Sequence, residues 1–344
     1  MNGPVLHDDP AAARDWLPAL NQYRAPSQLR SALEIGVTLV PFMLLWFASW
    51  FALQWSYGLS LFLGLLAAGF LVRLFMIQHD CGHGAFFRRR RANDWTGRAI
   101  SVLTFTPYDD WQRSHAVHHA TSGNLDRRGI GDITTLTVSE YLARPRWRRA
   151  AYRLYRHPLI MFGIGPAYLF LLQHRLPAPG ALSEWRSWLS PMATNVAIAL
   201  LATIVIWLVG LGPFLLVQIP IILLAASIGV WLFYVQHQFE ATVWAQDTDW
   251  AVHEAALHGS SYYDLPMVLR WFTADIGVHH VHHLCSRIPF YHLNRVLEDH
   301  PQLREVGRLT LRDSLKCVRL VLWDATQQRL ISFGELRGGA IHTN

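Results

Sequence analysis

Histidines form four short groups in this sequence, and their spacing is suited to binding metal ions. The groups read HDCGH at 79–83, HAVHH at 115–119, QHQ at 236–238 and HHVHH at 279–283. On a helix, residues three or four positions apart lie on one face, so each longer group can present several imidazoles together. One transition metal ion seldom takes more than about six ligands, so a larger set favours two ions. The candidate metal ligands are His79, His83, His115, His118, His119, His237, His279, His282 and His283.

The ligand type narrows the choice of metal without fixing it. Imidazole-rich ligation without thiolates is compatible with zinc, copper or iron. A structural zinc site needs only about four ligands, whereas a redox-active pair of ions needs more ligands and a position that can open. The spacing alone therefore predicts two transition metal ions. The isolated histidines elsewhere in the chain are interpreted as structural side chains.

The composition indicates a membrane protein. Of the 344 residues, 52% are hydrophobic and 16% are charged, against about 25% charged in soluble domains. The net charge of +6 comes from clustered arginines, which are typical of nucleic-acid binding, of an anionic membrane surface or of an orientation signal. The apolar runs favour the last two and argue against nucleic acid. Three scattered cysteines argue against a disulfide framework.

Four apolar runs are predicted to span the membrane as two hairpins. The runs cover about 35–55, 59–77, 196–211 and 214–234, and each approaches the length of helix that crosses a hydrocarbon core of about 30 Å. Arg73 lies near the end of the second run, where its side chain is expected to extend to the interface. The N-terminus lacks the apolar core of a secretory signal peptide.

The arginines predict which side of the membrane the histidines face. Arginines occupy 88–91, and six more lie between Arg144 and Arg156; positive residues close to span ends mark the cytoplasmic side. We therefore predict one all-α domain over 1–344, with four spans and a cytosolic helical cap (78–193 and 235–300) that holds a dinuclear metal site. Residues 1–30 are interpreted as an interfacial arm, and 301–344 as a soluble helical tail.

At this point the sequence resembles the membrane fatty acid desaturases, whose hallmark is three histidine boxes beside two membrane hairpins. The likeness runs from about Gln78 to Leu293 and extends beyond the boxes. The first box resembles that of the delta-12 (omega-6) acyl-lipid group. Residues around the other two boxes are also similar to that group, namely Pro107, Tyr108, Trp111, Ser114, Ser122, Gly123, Asn124, Leu125, Leu284, Ser286, Pro289 and Tyr291.

The resemblance implies a di-iron centre held by these histidines. His237 occupies the place where the family supplies one further histidine, and His280 falls on a variable box position and is not expected to be a ligand. In acyl-CoA members of the family, an Asn four residues before that further histidine holds a water on one iron, but Phe233 stands here. Asp275, Glu240 or a water is left open as the group that completes the metal shell.

The family also implies the reaction and its partners. Two Fe ions cycling between Fe2+ and Fe3+ would use O2 and electrons from a separate donor, such as ferredoxin or a b-type cytochrome with its reductase, to desaturate an acyl chain of a membrane glycerolipid. No residue beyond the metal ligands is predicted to be catalytic. Candidates for orienting the imidazoles are the nearby carboxylates Asp80, Asp109, Asp110, Asp126, Asp132, Glu240 and Asp275.

Two other functions fit the same residues. A related di-iron hydroxylase or ketolase acting on an alkane, a carotenoid or an acyl chain would use the same ligands, so only its products would differ. A histidine-rich metal transporter is a different class of protein. Transport sites usually lie near the bilayer midplane on broken helices, whereas these histidines lie beyond the ends of the predicted spans.

Overall fold

The computed structural model describes residues 11–129, 131–177 and 181–339. The first ten residues of the predicted arm and the last five of the predicted tail lie outside the described residues. The helices are α1 (Ala11–Arg14), α2 (Trp16–Leu20), α3 (Gln28–Ala52), α4 (Tyr57–Gly82), α5 (Arg90–Thr104), α6 (Tyr108–Thr121), α7 (Val138–Ala143), α8 (Arg146–Tyr155), α9 (Gly165–Leu171), α10 (Leu189–Val209), α11 (Leu211–His237), α12 (Val252–His258), α13 (Met267–Phe272), α14 (His279–Leu284), α15 (Phe290–Asp299), α16 (Leu311–Cys317) and α17 (Phe333–Gly339).

Four of the helical segments are long and apolar enough to cross a membrane, which confirms the predicted number of spans. They are α3, α4, the segment Trp185–Val209 that contains α10, and α11. Each begins before the predicted apolar run, because residues ahead of the apolar stretch already belong to the helix. The segments Gln28–Ala52 and Trp185–Val209 end short of the predicted bounds at 55 and 211, whereas α4 and α11 continue beyond theirs. The helix α3 begins after Ser27, whose side chain accepts a hydrogen bond from the Arg30 amide. The apolar run alone could not reveal this cap.

The helix α4 lies at the centre of the long helices. It packs against α3, α5 and α11, and small residues such as Gly64, Ala67 and Ala68 allow close approach along its buried face. The span that contains α10 is mostly exposed, because only 6% of its most apolar stretch of 18 residues is buried. Because α4 is surrounded, its last turn has a fixed position, and this turn carries the first histidine group.

Arg73 does not extend to the interface as predicted. Its side chain is buried and forms an ion pair with Glu34 of α3, with 2.5 Å between Nη2 and Oε2. It also donates to the carbonyl of Trp271, and its guanidinium lies 4.1 Å from the centroid of the Trp271 ring. The prediction was wrong because Glu34 lies just outside the apolar run. The carboxylate is supplied by a neighbouring helix, and no pattern within α4 indicates it.

Short strands interrupt the predicted all-helical architecture. The strand β1 (Leu136–Thr137) pairs in parallel with β4 (Leu322–Asp324), which pairs antiparallel with β5 (Arg329–Ile331). A second small sheet pairs β2 (Tyr262–Asp264) with β3 (Arg308–Thr310). Three of these strands lie in the segment predicted as a helical tail. Runs of two or three residues are too short to show the alternation that marks a strand.

The C-terminal segment is an integral part of the fold. Trp323 and Leu330 pair across β4 and β5 and are fully buried. Arg156, one of the arginines interpreted as an orientation signal, is also buried. Its guanidinium donates to the carbonyl of Leu320 at 2.8 Å and to the side chains of Tyr234 and Gln238 at 3.0 Å. Arg156 therefore ties the end of α11 to the segment that follows α16.

Removing the Arg73 guanidinium should destabilise the protein strongly. The substitution Arg73→Met leaves the Glu34 carboxylate buried without its closest partner, which costs about 3–5 kcal/mol. The double variant Glu34→Gln with Arg73→Met should recover much of this loss, because no charge then remains buried. Thermal unfolding in detergent measures both.

Arg30→Met is the matched control for this prediction. Arg30 also pairs with Glu34, but its side chain is 58% exposed, so its loss should cost about 1 kcal/mol or less. A double variant as unstable as Arg73→Met would contradict the interpretation of a buried charge pair.

Candidate metal centre

The four histidine groups occupy the ends or faces of four helices. His79 lies in the last turn of α4, and His83 caps that helix, with its amide donating to the carbonyl of His79 at 3.2 Å. The second box lies on α6, and the third on α14. His237 is the last residue of α11. The spacing of the boxes therefore predicted their placement on helices.

The structure brings the nine candidate ligands together in two groups. Within each group, the ring nitrogens that could bind an ion all lie within 4.8 Å of one another. We call them group one and group two. Group one contains His79, His83, His115, His119 and His282, and group two contains His118, His237, His279 and His283.

The spacing of each HxxHH box explains why the two groups are adjacent. On α6, His115 and His119 point into group one, while His118, about 100° away around the helix, points into group two. The helix α14 is divided in the same way, with His282 in group one. The rings of His119 and His283 stack across the two groups, with their centroids 4.0 Å apart. Two helices thus serve both groups.

The distances between ring nitrogens fit metal ligation. In group one, Nε2 of His115 lies 3.0 Å from that of His83 and 3.1 Å from that of His119. In group two, Nε2 of His237 lies 3.1 Å from that of His118 and 3.0 Å from that of His279. Two imidazole nitrogens about 2.1 Å from one ion and at right angles would be about 3.0 Å apart. The nitrogens within each group are thus close enough together to bind one ion.

Burial favours the neutral form of most of these imidazoles. It lowers the pKa of six of them well below the usual value, and the neighbouring imidazoles lower it further. Metal ions bind the neutral imidazole, so a neutral group is ready to act as a ligand at neutral pH. The imidazoles for which this shift holds, all outside the spans, are His83, His115, His119, His279, His282 and His283.

Two of the predicted carboxylates contact ligand histidines. Asp132 lies 2.5 Å from Nδ1 of His118, which leaves Nε2 of that ring facing group two. Asp80 lies 3.3 Å from Nδ1 of His79, and its other oxygen accepts from the Phe290 amide at 2.7 Å. A carboxylate that accepts from Nδ1 fixes the tautomer of a metal-binding imidazole and strengthens it as a ligand. Within the described ranges, neither group contains a carboxylate.

The other predicted carboxylates have different partners. Asp109 pairs with Arg98, Asp110 with Arg113, and Asp126 accepts from the amide of Asp247. Glu240 is exposed. Proximity in sequence to a histidine box therefore identified Asp80 but did not distinguish Asp132 from the carboxylates that contact no imidazole of the two groups.

The four-residue spacing suggested that Asp275 and His279 lie on the same helix, but the structure places only His279 in a helix. The helix α14 begins at His279, and Asp275 lies in the preceding turn with a positive φ of 50°. Its carboxylate accepts from Nε of Arg270 at 3.0 Å. The turn is held instead through β2, since the amide of Tyr263 donates to the carbonyl of Gly277 at 2.7 Å. Asp275 belongs to neither histidine group.

His280 and Phe233 lie beside the groups without joining them. His280 turns away, with Nε2 2.9 Å from the carbonyl of Leu303, and it is in neither group. The ring of Phe233 lies 5.0 Å from that of His118 and 5.4 Å from that of His237. It therefore places an apolar ring next to group two.

The sequence did not indicate the carbonyl and the hydroxyl that contact the His237 ring. Its Nδ1 lies 3.2 Å from the carbonyl of Gly259 and 3.4 Å from the hydroxyl of Ser122. A backbone carbonyl carries no side-chain signal, so only the fold could reveal the contact with Gly259. Aromatic packing also holds group one, since Trp111 stacks on His115 with ring centroids 4.6 Å apart.

Comparisons with known proteins identify the family. The family model for fatty acid desaturases matches residues 55–312. A protein of Bacillus subtilis named fatty acid desaturase is 46% identical over 315 residues, which is 92% of this chain and 89% of that protein. Two proteins of Synechocystis sp. match 65% of this chain: an sn-1 acyl-lipid omega-3 desaturase (ferredoxin) at 30% identity and an sn-1 oleoyl-lipid 12-desaturase at 27%, over 62% and 63% of their lengths.

This chain therefore belongs to the fatty acid desaturase family. The match covers most of the chain and includes all four histidine groups. The prediction of an oxidoreductase of this family is confirmed, and so is the prediction of helices fit to span a membrane.

The pH dependence of stability should follow from the neutral imidazoles. Unfolded histidines have a pKa of about 6.5, above that of the buried ones, so below this pH the unfolded chain binds protons that the folded chain does not. The metal-free protein should therefore lose stability as the pH falls below about 6.5 and stay nearly constant above it. Thermal unfolding in detergent from pH 8 to pH 5.5 measures this, and a flat profile would contradict it.

Asp132 should contribute to metal affinity through His118. Replacing Asp132 by Asn removes the charged acceptor of Nδ1 and should weaken binding at group two about 10- to 100-fold, as measured by metal titration with a competing chelator. The matched control is Asp110→Asn, because Asp110 lies on α6 with His118 but pairs with Arg113. Equal affinities for the two variants would mean that Asp132 does not act through the imidazole.

Proposed function

We propose that this protein desaturates the acyl chain of a membrane glycerolipid, with two iron ions bound by the nine histidines. The observation that carries the proposal is the pair of adjacent imidazole groups at the ends of α4 and α11. Their neutral nitrogens, spaced about 3 Å apart, are suited to transition metals. Family membership supports iron over zinc or copper.

The two groups of imidazoles have separate roles in this proposal. Group one would bind one ion through five nitrogens, and group two would bind the other through four. The iron pair, when bound and reduced, supplies the oxygen activation needed to remove hydrogen from an unactivated methylene, which no side chain can do. Asp132 would hold the proton on Nδ1 of His118, so that Nε2 remains free to bind.

Burial supports the exclusion of water from the reacting centre. His279 and His282 are 2% and 0% exposed, and Phe233 and Trp111 provide apolar rings beside the two groups. A dry, apolar surrounding protects reactive species from side reactions. The same surrounding suits a hydrocarbon chain, because the chain gains free energy when it leaves water.

The proposed topology follows from the four candidate spans. The two hairpins, 35–55 with 59–77 and 196–211 with 214–234, would place the cap segments 78–193 and 235–300 on one side of the membrane. The arginines at 88–91 lie just beyond the end of α4 and favour the cytoplasmic side. The metal centre would then lie at the cytoplasmic end of the spans.

The substrate and the electron donor are proposed from the relatives. Proteins of Synechocystis sp. and Nostoc sp. are named as sn-1 acyl-lipid desaturases that use ferredoxin, which supports a glycerolipid substrate and a separate donor, either ferredoxin or a b-type cytochrome with its reductase. The delta-12 position rests on the resemblance of the boxes. Relatives named for omega-3 and for position 12 match at similar identity and favour neither.

Expression in a bacterial host that lacks oxygen-dependent desaturases tests the activity. We expect new double bonds in the membrane lipids, formed only under air, and about two iron atoms per purified chain. His119→Gln in group one and His279→Gln in group two should each abolish the product. The matched control is His280→Gln, which adjoins a ligand but lies in neither group and should retain activity.

The products also decide between the proposed function and its alternatives. Hydroxylated or keto products without new double bonds would favour a related di-iron hydroxylase or ketolase. Metal flux into vesicles without oxygen consumption would favour a transporter. Either result would contradict the proposed desaturation.

A further inference from the structure

An open cavity at the surface includes Gly84, the residue after His83, and three arginines in its lining. Its volume is about 460 Å³, and its charged lining consists of Arg24, Arg88 and Arg287. Phe87 and Pro26 give it an apolar side. This volume lies within the range of about 300–1,000 Å³ that is usual for small-molecule sites. The cavity is thus large enough for a ligand, it is open to solvent at the exposed Arg88 and Arg287, and its charged lining is entirely cationic.

The three arginines have no carboxylate partner among the described residues. Arg24 donates to the side chain of Asn21 at 2.8 Å, and Arg88 donates to the carbonyl of Pro26 at 3.4 Å. By contrast, Arg90 is nearby in sequence but outside the cavity, and it pairs with Asp94 at 3.0 Å. Three arginines that line one cavity without an acidic residue are suited to an anion with several oxygens, above all a phosphate.

The cavity lies level with the ends of two candidate spans. Its residues from Asn21 to Pro26 immediately precede α3, and those from Gly84 to Arg88 immediately follow α4. The hydroxyl of Ser31 donates to the carbonyl of Phe86 at 2.6 Å, which holds these two span ends together. This is the level at which phospholipid headgroups meet a membrane protein.

The first turns of α3 lead from the cavity to an apolar surface. Leu29 and Leu33 are 72% and 53% exposed, and they begin the outer face of this span. Such side chains are suited to contact with lipid hydrocarbon. The surface is thus cationic at the cavity and apolar along α3. These two regions match the anionic phosphate and the hydrocarbon chain of a phospholipid.

Residues that line the cavity are also close in sequence to both histidine groups. Gly84, which lines it, directly follows His83 of group one, and Arg287 lies four residues after His283 of group two. A ligand in the cavity is therefore held by segments that continue directly from the metal ligands.

We propose that this cavity binds the phosphate of a phospholipid whose acyl chain is the substrate. The inference rests on the proposed function, because it assigns that function's substrate to phospholipids rather than to uncharged glycerolipids. Arg24, Arg88 and Arg287 would bind the phosphate oxygens and so fix the headgroup end of the chain. The double bond would then form at a fixed distance from the ester, whatever the length of the chain.

Binding and turnover are measured separately to test this proposal. Binding uses short-chain dihexanoyl phosphatidylglycerol and uncharged dihexanoylglycerol, followed by tryptophan fluorescence of the purified full chain in detergent. Turnover uses phosphatidylglycerol and diacylglycerol that carry the same acyl chains of 16 or 18 carbons. The variants are Arg24→Gln, Arg88→Gln and Arg287→Gln. The matched control is Arg89→Gln, an exposed neighbour in the same arginine run that does not line the cavity.

We expect each cavity variant to weaken phosphatidylglycerol binding and raise its KM about threefold to tenfold, with kcat nearly unchanged. Dihexanoylglycerol and diacylglycerol should be unaffected, and Arg89→Gln should behave as the unchanged protein. Chains of 16 and 18 carbons should receive the double bond at the same distance from the ester. A purely structural role of the arginines would change both lipids alike.

Several outcomes would overturn the proposal. Equal binding of the charged and uncharged lipids would exclude a phosphate site. Full competition by inorganic phosphate, without any preference for the phospholipid, would assign the cavity to a free phosphate ion. If the variants leave the lipid KM unchanged and slow turnover only by weakening the reaction with the electron donor, the cavity would be assigned to the donor protein. Lipid binding without any desaturation would contradict the proposed function and leave the phosphate site standing.

Discussion

The structure depends on holding nine imidazoles close together and away from water. Their nitrogens approach to about 3 Å, a distance at which charged imidazolium groups would repel one another strongly. Burial favours the neutral form of most of these rings, and the packing depends on helices that bury five of the nine histidines and partly bury the other four. Accuracy of position therefore matters more here than the strength of any one contact.

The long helices supply that accuracy. The helix α4 is enclosed by α3, α5 and α11, and its last turn delivers His79, while α11 ends on His237. Gly97 of α5 leaves room for the ring of Tyr108, whose hydroxyl donates to the carbonyl of Cys81 at 2.9 Å. This contact fixes the beginning of α6 against the end of α4. The histidine positions are thus set by packing several residues away from the rings.

The sequence predicted the parts of the molecule that depend on local patterns. Four helical segments long and apolar enough to span a membrane follow from apolar length, and the helical placement of the boxes follows from i, i+4 spacing; both were found. Partners that come from distant segments could not be predicted: the Glu34 carboxylate beside Arg73, the Gly259 carbonyl beside His237, and the strand pairing of Leu322 with Leu136. Asp132 was only one candidate among several carboxylates, because its contact with His118 depends on the path of the loop after α6.

The way the histidines are shared has a consequence for biosynthesis. Group one draws on residues from His79 to His282, and group two on residues from His118 to His283. Neither set exists until the ribosome has translated almost the whole chain, by which time all four long helices have been made. Four of the five histidines of group one precede the end of α6, whereas three of the four of group two follow α10. A chain released before α14 is made therefore has no complete set, and group two is the more incomplete of the two.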